Sequence, residues 1–184
     1  MDAHEQLCQL LIERSLFRGD FVLSSGKRSS HYIDARRTTM SGAGQQLIGE
    51  LGLHAMEAQG WTPRAIGGLT LGADPVAYAV AHAAALRGLT LDAFTVRKEA
   101  KSHGAAGQLI EGVFESGWPV VIVEDTITTG ASALRAAETV RTAGGFVLGV
   151  LAVVDREEGG TEKIAEKGLQ SVALVRVSEL MARP

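Results

Sequence analysis

Short runs of apolar residues alternate along most of the chain with longer amphipathic stretches. Runs that lack polar alternation are typical of parallel strands covered on both faces. Five such runs occupy residues 65–71, 91–96, 119–123, 147–154 and 172–177. Helical spacing and alanine-rich composition are found in residues 45–59, 75–87, 131–142 and 162–167. This alternation predicts an α/β fold whose central, mainly parallel sheet has five strands and is flanked by helices.

The N-terminal part of the chain has a different pattern. Residues 5–17 have the apolar spacing of an amphipathic helix. Two short segments rich in apolar and aromatic residues, 21–23 and 31–33, then flank the polar residues 24–30, which predicts a hairpin. Because ligands of open parallel sheets bind beyond the carboxyl ends of the strands, we expect this hairpin to cap that crevice.

Composition and charge narrow the class of protein. The chain has 184 residues, which predicts one domain, and a formal net charge of −3 with basic residues scattered among acidic ones. This balance disfavours nucleic acid and anionic membranes as partners, and no apolar run reaches the ~20 residues of a membrane span. The only cysteine, Cys8, cannot form an intrachain disulfide, and the first residues lack the pattern of a secretory signal. We therefore expect a cytoplasmic protein.

The strongest chemical signal lies where the third apolar run ends. Glu124 and Asp125 follow a predicted strand, and residues 126–130, rich in threonine and ending in glycine, lead into an alanine-rich helix. The backbone N–H groups of such a loop and helix N-terminus bind a phosphate, and two adjacent carboxylates suit the hydroxyls of a ribose. The alternative is that Thr128 or Thr129 caps the helix and the two acids lie on the surface.

Basic residues follow two of the other runs. Arg97, Lys98, Lys101 and His103 fall within seven positions after the second run and are followed by glycines. A mobile loop of this kind suits closure over an anionic leaving group, although such a cluster is often only a solvated surface. Arg156 follows the fourth run, so we expect it at the same sheet edge as the acidic pair.

Other chemistry finds no support in the sequence. Walker and dinucleotide-binding glycine motifs are absent, as are zinc-protease and EF-hand patterns. His4, His54 and His82 have helical contexts and no partner at ligand spacing, so we expect them, like Cys8, to be structural.

Together these segments resemble the type I phosphoribosyltransferases, and in particular the orotate phosphoribosyltransferases. The strand, acidic pair and threonine-rich loop resemble the family's signature for phosphoribosyl diphosphate (PRPP). Residues 21–34 resemble the hood over the pyrimidine, with Ser24 where some members have a lysine, and residues 67–75 resemble the diphosphate-binding loop. The Arg-Lys-x-x-Lys-x-His-Gly pattern of the catalytic loop is matched by Arg97, Lys98, Lys101, His103 and Gly104.

The resemblance implies a role for each matched residue. The catalytic residues it implies are Lys101, His103 and Asp125. PRPP contacts are implied for Arg97, Lys98, Lys101, His103, Glu124, Asp125, Thr126, Ile127, Thr128, Thr129, Gly130, Ala131 and Ser132. Orotate contacts are implied for Lys27, Tyr32, Thr128 and Arg156, of which the arginine is suited to hold the orotate carboxylate.

The same resemblance implies a reaction and an assembly. Orotate and PRPP give orotidine 5′-monophosphate and diphosphate, with Mg²⁺ held mainly by PRPP and by no direct protein ligand. The family's catalytic loop crosses a dimer interface, which implies a homodimer. One domain is implied over residues 1–184, with a hood of roughly 1–40 plus the C-terminal segment and a core of roughly 41–155. Two alternatives stay open: transfer to another nucleobase, or a non-catalytic regulator of the same fold that senses a nucleotide or binds RNA.

Overall fold

The N-terminal segment forms a helix followed by a two-stranded hairpin. The computed structural model describes residues 2–22, 26, 28–99 and 109–183. Helix α1 spans Ala3–Arg14, and strands β1 (Leu16–Val22) and β2 (Arg28–Ile33) pair antiparallel. The predicted hairpin is confirmed, whereas the predicted helix end at residue 17 is wrong. The helix stops earlier because the backbone from Leu16 onward pairs with β2.

Two further helices lead from the hairpin towards the sheet. Helix α2 is a single turn, Arg36–Thr39, and α3 spans Gly42–Ala58. The Ser41 hydroxyl caps α3 by accepting a hydrogen bond from the Gly44 N–H at 3.1 Å. The helix predicted over 45–59 is thus confirmed with an earlier start, while α2 is too short to show a periodicity in the sequence.

A central sheet of six strands follows. They are β3 (Ala65–Leu69), β4 (Asp92–Val96), β5 (Ile110–Gly112), β6 (Pro119–Ile127), β7 (Phe146–Asp155) and β8 (Ser171–Arg176). Their spatial order is β5–β4–β3–β6–β7–β8, and all neighbours except β4 and β5 run parallel. The five predicted parallel strands are confirmed. The sheet has one strand more than the five predicted, because β5 is too short to form an apolar run.

Helices cover both faces of this sheet. Helix α4 (Ala73–Leu86) packs with α1 and α3 on one face, and α5 (Ala131–Thr142) lies on the other with α6 (Gly160–Glu166). A last short helix, α7 (Val177–Met181), packs beside α1. The predicted helices are confirmed, α5 at its predicted bounds. Within the described ranges, the helices are all too short or too polar to cross a membrane.

Side chains of β6 alternate between two hydrophobic clusters. Val121 and Val123 pack with α1, α3 and α4, whereas Val120 and Ile122 pack with α5. All four side chains are fully buried, which explains why this run lacks polar alternation. Because β3, β6 and β7 are parallel, their carboxyl ends reach one edge of the sheet, and the loops that follow them meet there.

Close packing of α3 on α4 predicts a cost for a side chain at Gly49. A Cβ atom there would lie 2.6 Å from the Ala79 carbonyl oxygen and 2.9 Å from the Ala83 Cβ, whereas one at Gly42 would meet nothing within 4 Å. We expect Gly49→Ala to lower the free energy of unfolding by about 1–3 kcal/mol relative to Gly42→Ala, as overpacking does. Urea denaturation of both variants measures this difference. Equal stability of the two variants would contradict the packing described for α3 and α4.

Candidate active site

A crevice opens beyond the carboxyl ends of the parallel strands. It includes a cavity of about 300 Å³ that the end of β2, the loop after β3 and the end of β6 surround. Among the side chains that line it are Tyr32, Arg36, Lys98, Glu124, Asp125 and Arg156. The hairpin therefore borders the crevice through Tyr32, as predicted. Arg156 follows β7 and reaches the same edge as the acidic pair, as predicted from its position directly after a parallel strand.

Of the acidic pair at the end of β6, Glu124 is buried and Asp125 is partly buried. Glu124 is only 5% exposed, and its Oε1 atom has no hydrogen-bond partner among the described residues. Asp125 Oδ1 accepts hydrogen bonds from the Thr126 backbone N–H at 2.7 Å and from its hydroxyl at 3.3 Å. The two carboxyls thus differ in surroundings: the Asp125 carboxyl is stabilised by local donors, and the Glu124 carboxyl has a buried oxygen without a hydrogen bond in the described part of the chain.

Burial changes the protonation of this pair. Loss of hydration raises the pKa of Glu124 from 4.5 to about 8, and the neighbouring Asp125 charge adds to the effect. Burial also raises the pKa of Asp125, against the opposing effect of the Thr126 hydrogen bonds. An unpaired buried carboxyl is costly, and ligand hydroxyls or a hydrated cation at this position would relieve the cost.

The loop after β6 forms a second, adjoining cavity. This cavity of about 170 Å³ is lined by residues from Glu124 to Ala133, which include all seven loop positions predicted to bind PRPP. Gly130 has a left-handed backbone (φ 74°), and a Cβ atom there would lie 2.8 Å from the Gly160 carbonyl oxygen. The chain therefore turns into α5 at a position that only glycine fits easily.

The N-terminus of α5 remains available to an anion. Gly130 is the residue that precedes the helix, and no side-chain hydrogen bond caps the helix among the residues described. The alternative in which Thr128 or Thr129 caps α5 and the acids lie on the surface is therefore wrong. Backbone N–H groups in the first turn of a helix lack partners within the helix, so they can bind the oxygens of a phosphate.

The loop after β3 completes the floor of the crevice. A Cβ atom at Gly72 would lie 2.8 Å from the Asp125 carboxyl group, so the absence of a side chain lets the loop pass against this acid. Asp74, in the first turn of α4, accepts hydrogen bonds from the hydroxyls of Thr70 at 2.6 Å and Thr95 at 2.9 Å. These bonds tie the loop to β4.

Arg156 lines the crevice and has buried donor atoms without hydrogen bonds to the residues that the structure describes. Its Nε and NH2 atoms are buried and make no hydrogen bond among the described residues, although NH2 lies 3.0 Å from Glu158 Oε1 in an ion pair. Its backbone N–H donates to the Ile127 carbonyl oxygen at 2.9 Å, which fixes the start of the side chain beside the end of β6. A planar guanidinium with free donors suits a carboxylate ligand.

Of the basic residues after β4, the structure describes Arg97 and Lys98. Arg97 lines one of two neighbouring cavities, and Lys98 lines both. Lys98 borders the crevice, and its carbonyl oxygen accepts a hydrogen bond from Arg135 NH2. Arg97 instead lines a neighbouring cavity of about 720 Å³, where NH1 lies 2.8 Å from Glu111 Oε1. The predicted site residues Lys27, Lys101 and His103, together with Ser24, lie outside the described residues.

Sequence reasoning missed two charged residues of the crevice. Arg36 and Asp34 both line it, and Arg36 Nε donates to Asp34 Oδ1 at 3.0 Å. Both residues follow directly after β2, so their place in the chain beside Tyr32 is the signal that could have indicated them. The charge of Arg36 also acts on Asp125 and lowers its pKa, although burial has the larger, opposite effect.

Comparison with known proteins gives full-length relatives. No family model matches the chain. It is 44% identical over 180 residues to an orotate phosphoribosyltransferase of Aquifex aeolicus, covering 96% of this chain and 97% of the relative. It is 46% identical over 180 residues to one from Corynebacterium glutamicum, covering 98% of this chain and 95% of the relative.

The fold of the chain is also similar to that of a solved structure. It is the Mycobacterium tuberculosis H37Rv orotate phosphoribosyltransferase in complex with PRPP. The two share 40% sequence identity and superpose with a TM-score of 0.83, over 97% of this chain and 99% of that chain.

The buried carboxyl of Glu124 predicts a pH-dependent stability. Its pKa is about 8 in the folded state and near 4.5 without burial, so between these values the unfolded chain holds fewer protons than the folded one. The Glu124 contribution to stability therefore falls as pH rises, by up to about 1.4 kcal/mol per pH unit. We expect Glu124→Gln to raise the Tm of the unliganded protein relative to the wild type, increasingly from about pH 6 to about pH 8. Thermal denaturation across this range checks it.

The matched control is Glu138→Gln, on the exposed face of α5. It should leave the pH dependence of the Tm as in the wild type. A Glu124→Gln variant that follows the wild-type curve at every pH would contradict the raised pKa.

Proposed function

This chain belongs to the orotate phosphoribosyltransferase family, and we propose that it transfers the phosphoribosyl group of PRPP to N1 of orotate. The products are orotidine 5′-monophosphate and diphosphate, in a step of pyrimidine biosynthesis. One observation supports this above the others: among the described residues, an acidic pair with one buried member, a helix N-terminus without a side-chain cap and an arginine with an unpaired Nε line two adjoining cavities.

PRPP binding follows from the first two of these features. We place the 5-phosphate in the loop of residues 126–132, where backbone N–H groups at the start of α5 and threonine hydroxyls supply donors. The ribose hydroxyls then lie against Glu124 and Asp125. A ribose hydroxyl would give Glu124 Oε1 the partner that it lacks in the unliganded protein.

Catalysis in this proposal is positioning and charge stabilisation, since the nucleophile is the N1 atom of orotate itself. The bond between C1 of the ribose and the diphosphate oxygen breaks as the bond to N1 forms. Asp125 and Glu124 hold the ribose as it gains oxocarbenium-like positive charge. Lys101 and His103, with Arg97 and Lys98, stabilise the departing diphosphate.

We include Mg²⁺ in the proposal as the cofactor that enters with PRPP. The oxygens of Glu124 and Asp125 are hard donors of the kind that suit this ion, and one of them is buried without a partner. Mg²⁺ keeps several waters, so in this proposal PRPP oxygens hold the ion, and Asp125, with Glu124 once the cation lowers its pKa, would accept hydrogen bonds from its water ligands. When bound, the ion neutralises part of the diphosphate charge.

Orotate recognition rests on Arg156 and the hairpin. In this proposal the guanidinium exchanges its ion pair with Glu158 for the orotate carboxylate, with Thr128 and Lys27 as further contacts. Tyr32 stacks near the pyrimidine in this proposal. Its ring packs against those of Phe17 and Phe21, with centroids 6.3 and 5.9 Å away, and these contacts support its orientation.

We further propose that the working enzyme is a cytoplasmic homodimer in which the loop carrying Lys101 and His103 serves the partner's crevice. Tyr78 and Leu86 on α4 are 52% and 77% exposed, and they offer apolar surface for a second copy. The single buried cysteine is consistent with a reducing compartment.

The test of the function is the loss of orotate absorbance in the ultraviolet. Purified protein is mixed with PRPP, Mg²⁺ and orotate, and uracil and hypoxanthine serve as alternative acceptors in parallel. A loss of orotate that requires both PRPP and Mg²⁺ supports the proposal. Turnover of another base would keep the fold but overturn the roles of Arg156 and the hairpin, whereas no turnover of any base would favour the non-catalytic regulator.

Removal of the Arg156 side chain should weaken orotate binding selectively. We expect Arg156→Ala to raise the KM for orotate by about 10–100-fold, the equivalent of one or two hydrogen bonds between charged groups. The KM for PRPP should change little. Steady-state kinetics with each substrate varied in turn measures both constants, with Arg141→Ala on the last turn of α5 as the control. An unchanged KM for orotate would overturn the assigned carboxylate contact.

Removal of the Lys101 amine should slow the chemical step. We expect Lys101→Ala to lower kcat by about 100-fold or more, as the loss of one transition-state contact does. Lys167→Ala, at the exposed end of α6, is the matched control and should keep the wild-type rate. A Lys101→Ala enzyme with normal kcat would remove Lys101 from the catalytic residues.

A further inference from the structure

A histidine, a cysteine and a glutamate meet on the side of the molecule where α1 packs against α7. His4 and Cys8 lie one turn apart on α1, and Glu179 lies on α7. His4 Nε2 is 3.4 Å from Glu179 Oε2 and 4.0 Å from Cys8 Sγ. One donor atom from each of the three residues lies within 4.8 Å of the other two.

We propose that His4, Cys8 and Glu179 bind a divalent transition-metal ion, with zinc as the expected occupant and water as the fourth ligand. Zinc takes nitrogen at about 2.05 Å, sulfur at about 2.3 Å and carboxylate oxygen at about 2.0 Å, usually in a tetrahedron. Such a tetrahedron places nitrogen about 3.3 Å from oxygen and about 3.6 Å from sulfur. Two of the three unliganded distances, 3.4 and 4.0 Å, are thus within half an ångström of those needed, and the thiol sulfur and the carboxylate oxygen lie within 4.8 Å of each other.

The local structure holds these donors in place. The positions i and i+4 of His4 and Cys8 put both side chains on one face of α1, the same spacing that lets two histidines on a helix share a zinc ion. Asp2 caps α1 by accepting a hydrogen bond from the Glu5 N–H at 2.8 Å. Completing the site requires a rotation of the His4 ring, whose two nitrogens lie 3.9 and 4.0 Å from Cys8 Sγ, and a closer approach of the thiol and the carboxylate.

Glu179 is oriented by its second oxygen. Its Oε1 atom accepts a hydrogen bond from the Arg176 backbone N–H at 2.9 Å, which leaves Oε2 directed at His4. A ligating carboxylate that is itself hydrogen-bonded is the usual arrangement around a bound metal.

The charged groups around Cys8 and the types of donor atom favour a transition-metal cation such as Zn²⁺. The charged groups that act on the Cys8 thiol are the carboxylates of Asp2, Glu5 and Glu179 and the single guanidinium of Arg183. Together they carry an excess of negative charge. A donor set of thiolate, imidazole and one carboxylate suits zinc rather than magnesium, which prefers oxygen alone. The site therefore differs in selectivity from the crevice with its carboxylate pair.

His4 and Cys8 are expected from the sequence to be structural because no set of partners at ligand spacing is evident there, and Glu179 lies at the far end of the chain. Only the packing of α7 on α1 brings Glu179 to them. A metal ion here would cross-link the first and last helices, and this inference is independent of the proposed function.

The first test is a titration of chelator-treated, reduced protein with Co²⁺, followed by near-ultraviolet and visible absorption. Cys8 is the only cysteine, so a thiolate-to-cobalt charge-transfer band can arise only from Cys8. We expect such a band to saturate at one equivalent and to vanish on addition of Zn²⁺. Cys8→Ser should abolish it, and His4→Gln and Glu179→Gln should each weaken Co²⁺ binding by at least about 10-fold. The glutamine at 179 keeps an oxygen that can accept the Arg176 hydrogen bond.

The control is His82→Gln, an exposed histidine on α4, which should bind Co²⁺ as the wild type does. A second readout is the Tm with Zn²⁺ at about 100 times its Kd, where we expect a rise of about 5–10 °C in the wild type and a clearly smaller one in His4→Gln. Absence of the band in the wild type, or a band that survives both His4→Gln and Glu179→Gln unchanged, overturns the proposal.

Discussion

The chemistry of the crevice depends on the burial of one carboxyl group, that of Glu124, at the end of the central strand. Strand β6 is apolar on both faces up to Val123, so Glu124 enters the edge of the core rather than the solvent. Loss of hydration at this position raises its pKa to about 8 and leaves one of its oxygens without a partner. A site that keeps such a group does so at a cost in stability, which is typical of residues retained for binding or catalysis.

The parallel pairing of β6 with β7 brings the second half of the crevice to this pair. Glu124 is in register with Ala152 and Ile127 with Asp155, so the residue after β7 emerges beside the threonine-rich loop that follows β6. The Arg156 N–H bonds to the Ile127 carbonyl oxygen in continuation of this pairing. One ladder of backbone hydrogen bonds thus fixes the spacing between the acids, which suit a ribose, and the guanidinium, which suits a carboxylate.

Much of this arrangement is predictable from the sequence because the carboxyl ends of parallel strands lie at one edge of the sheet. Uniform apolar runs predict strands buried on both faces, and polar residues directly after them must meet at one edge. The sequence could not show β5 or α2, since segments of three or four residues have no periodicity to detect. Nor could it show the Arg156–Glu158 ion pair or the unpaired Glu124 oxygen, because both depend on side-chain packing rather than on the order of residues.

Unpaired donors and acceptors link the stability of the fold to its ligands. Glu124 Oε1 and Arg156 Nε are both buried without hydrogen bonds among the described residues. Each unsatisfied buried group costs about 1–3 kcal/mol, a large share of the 5–15 kcal/mol that usually stabilises a domain. A ligand that offers hydroxyls to the first and a carboxylate to the second recovers this energy on binding. Within the described residues, the same buried groups that lower the stability of the unliganded protein are therefore the ones that a ligand with hydroxyl and carboxylate groups would satisfy.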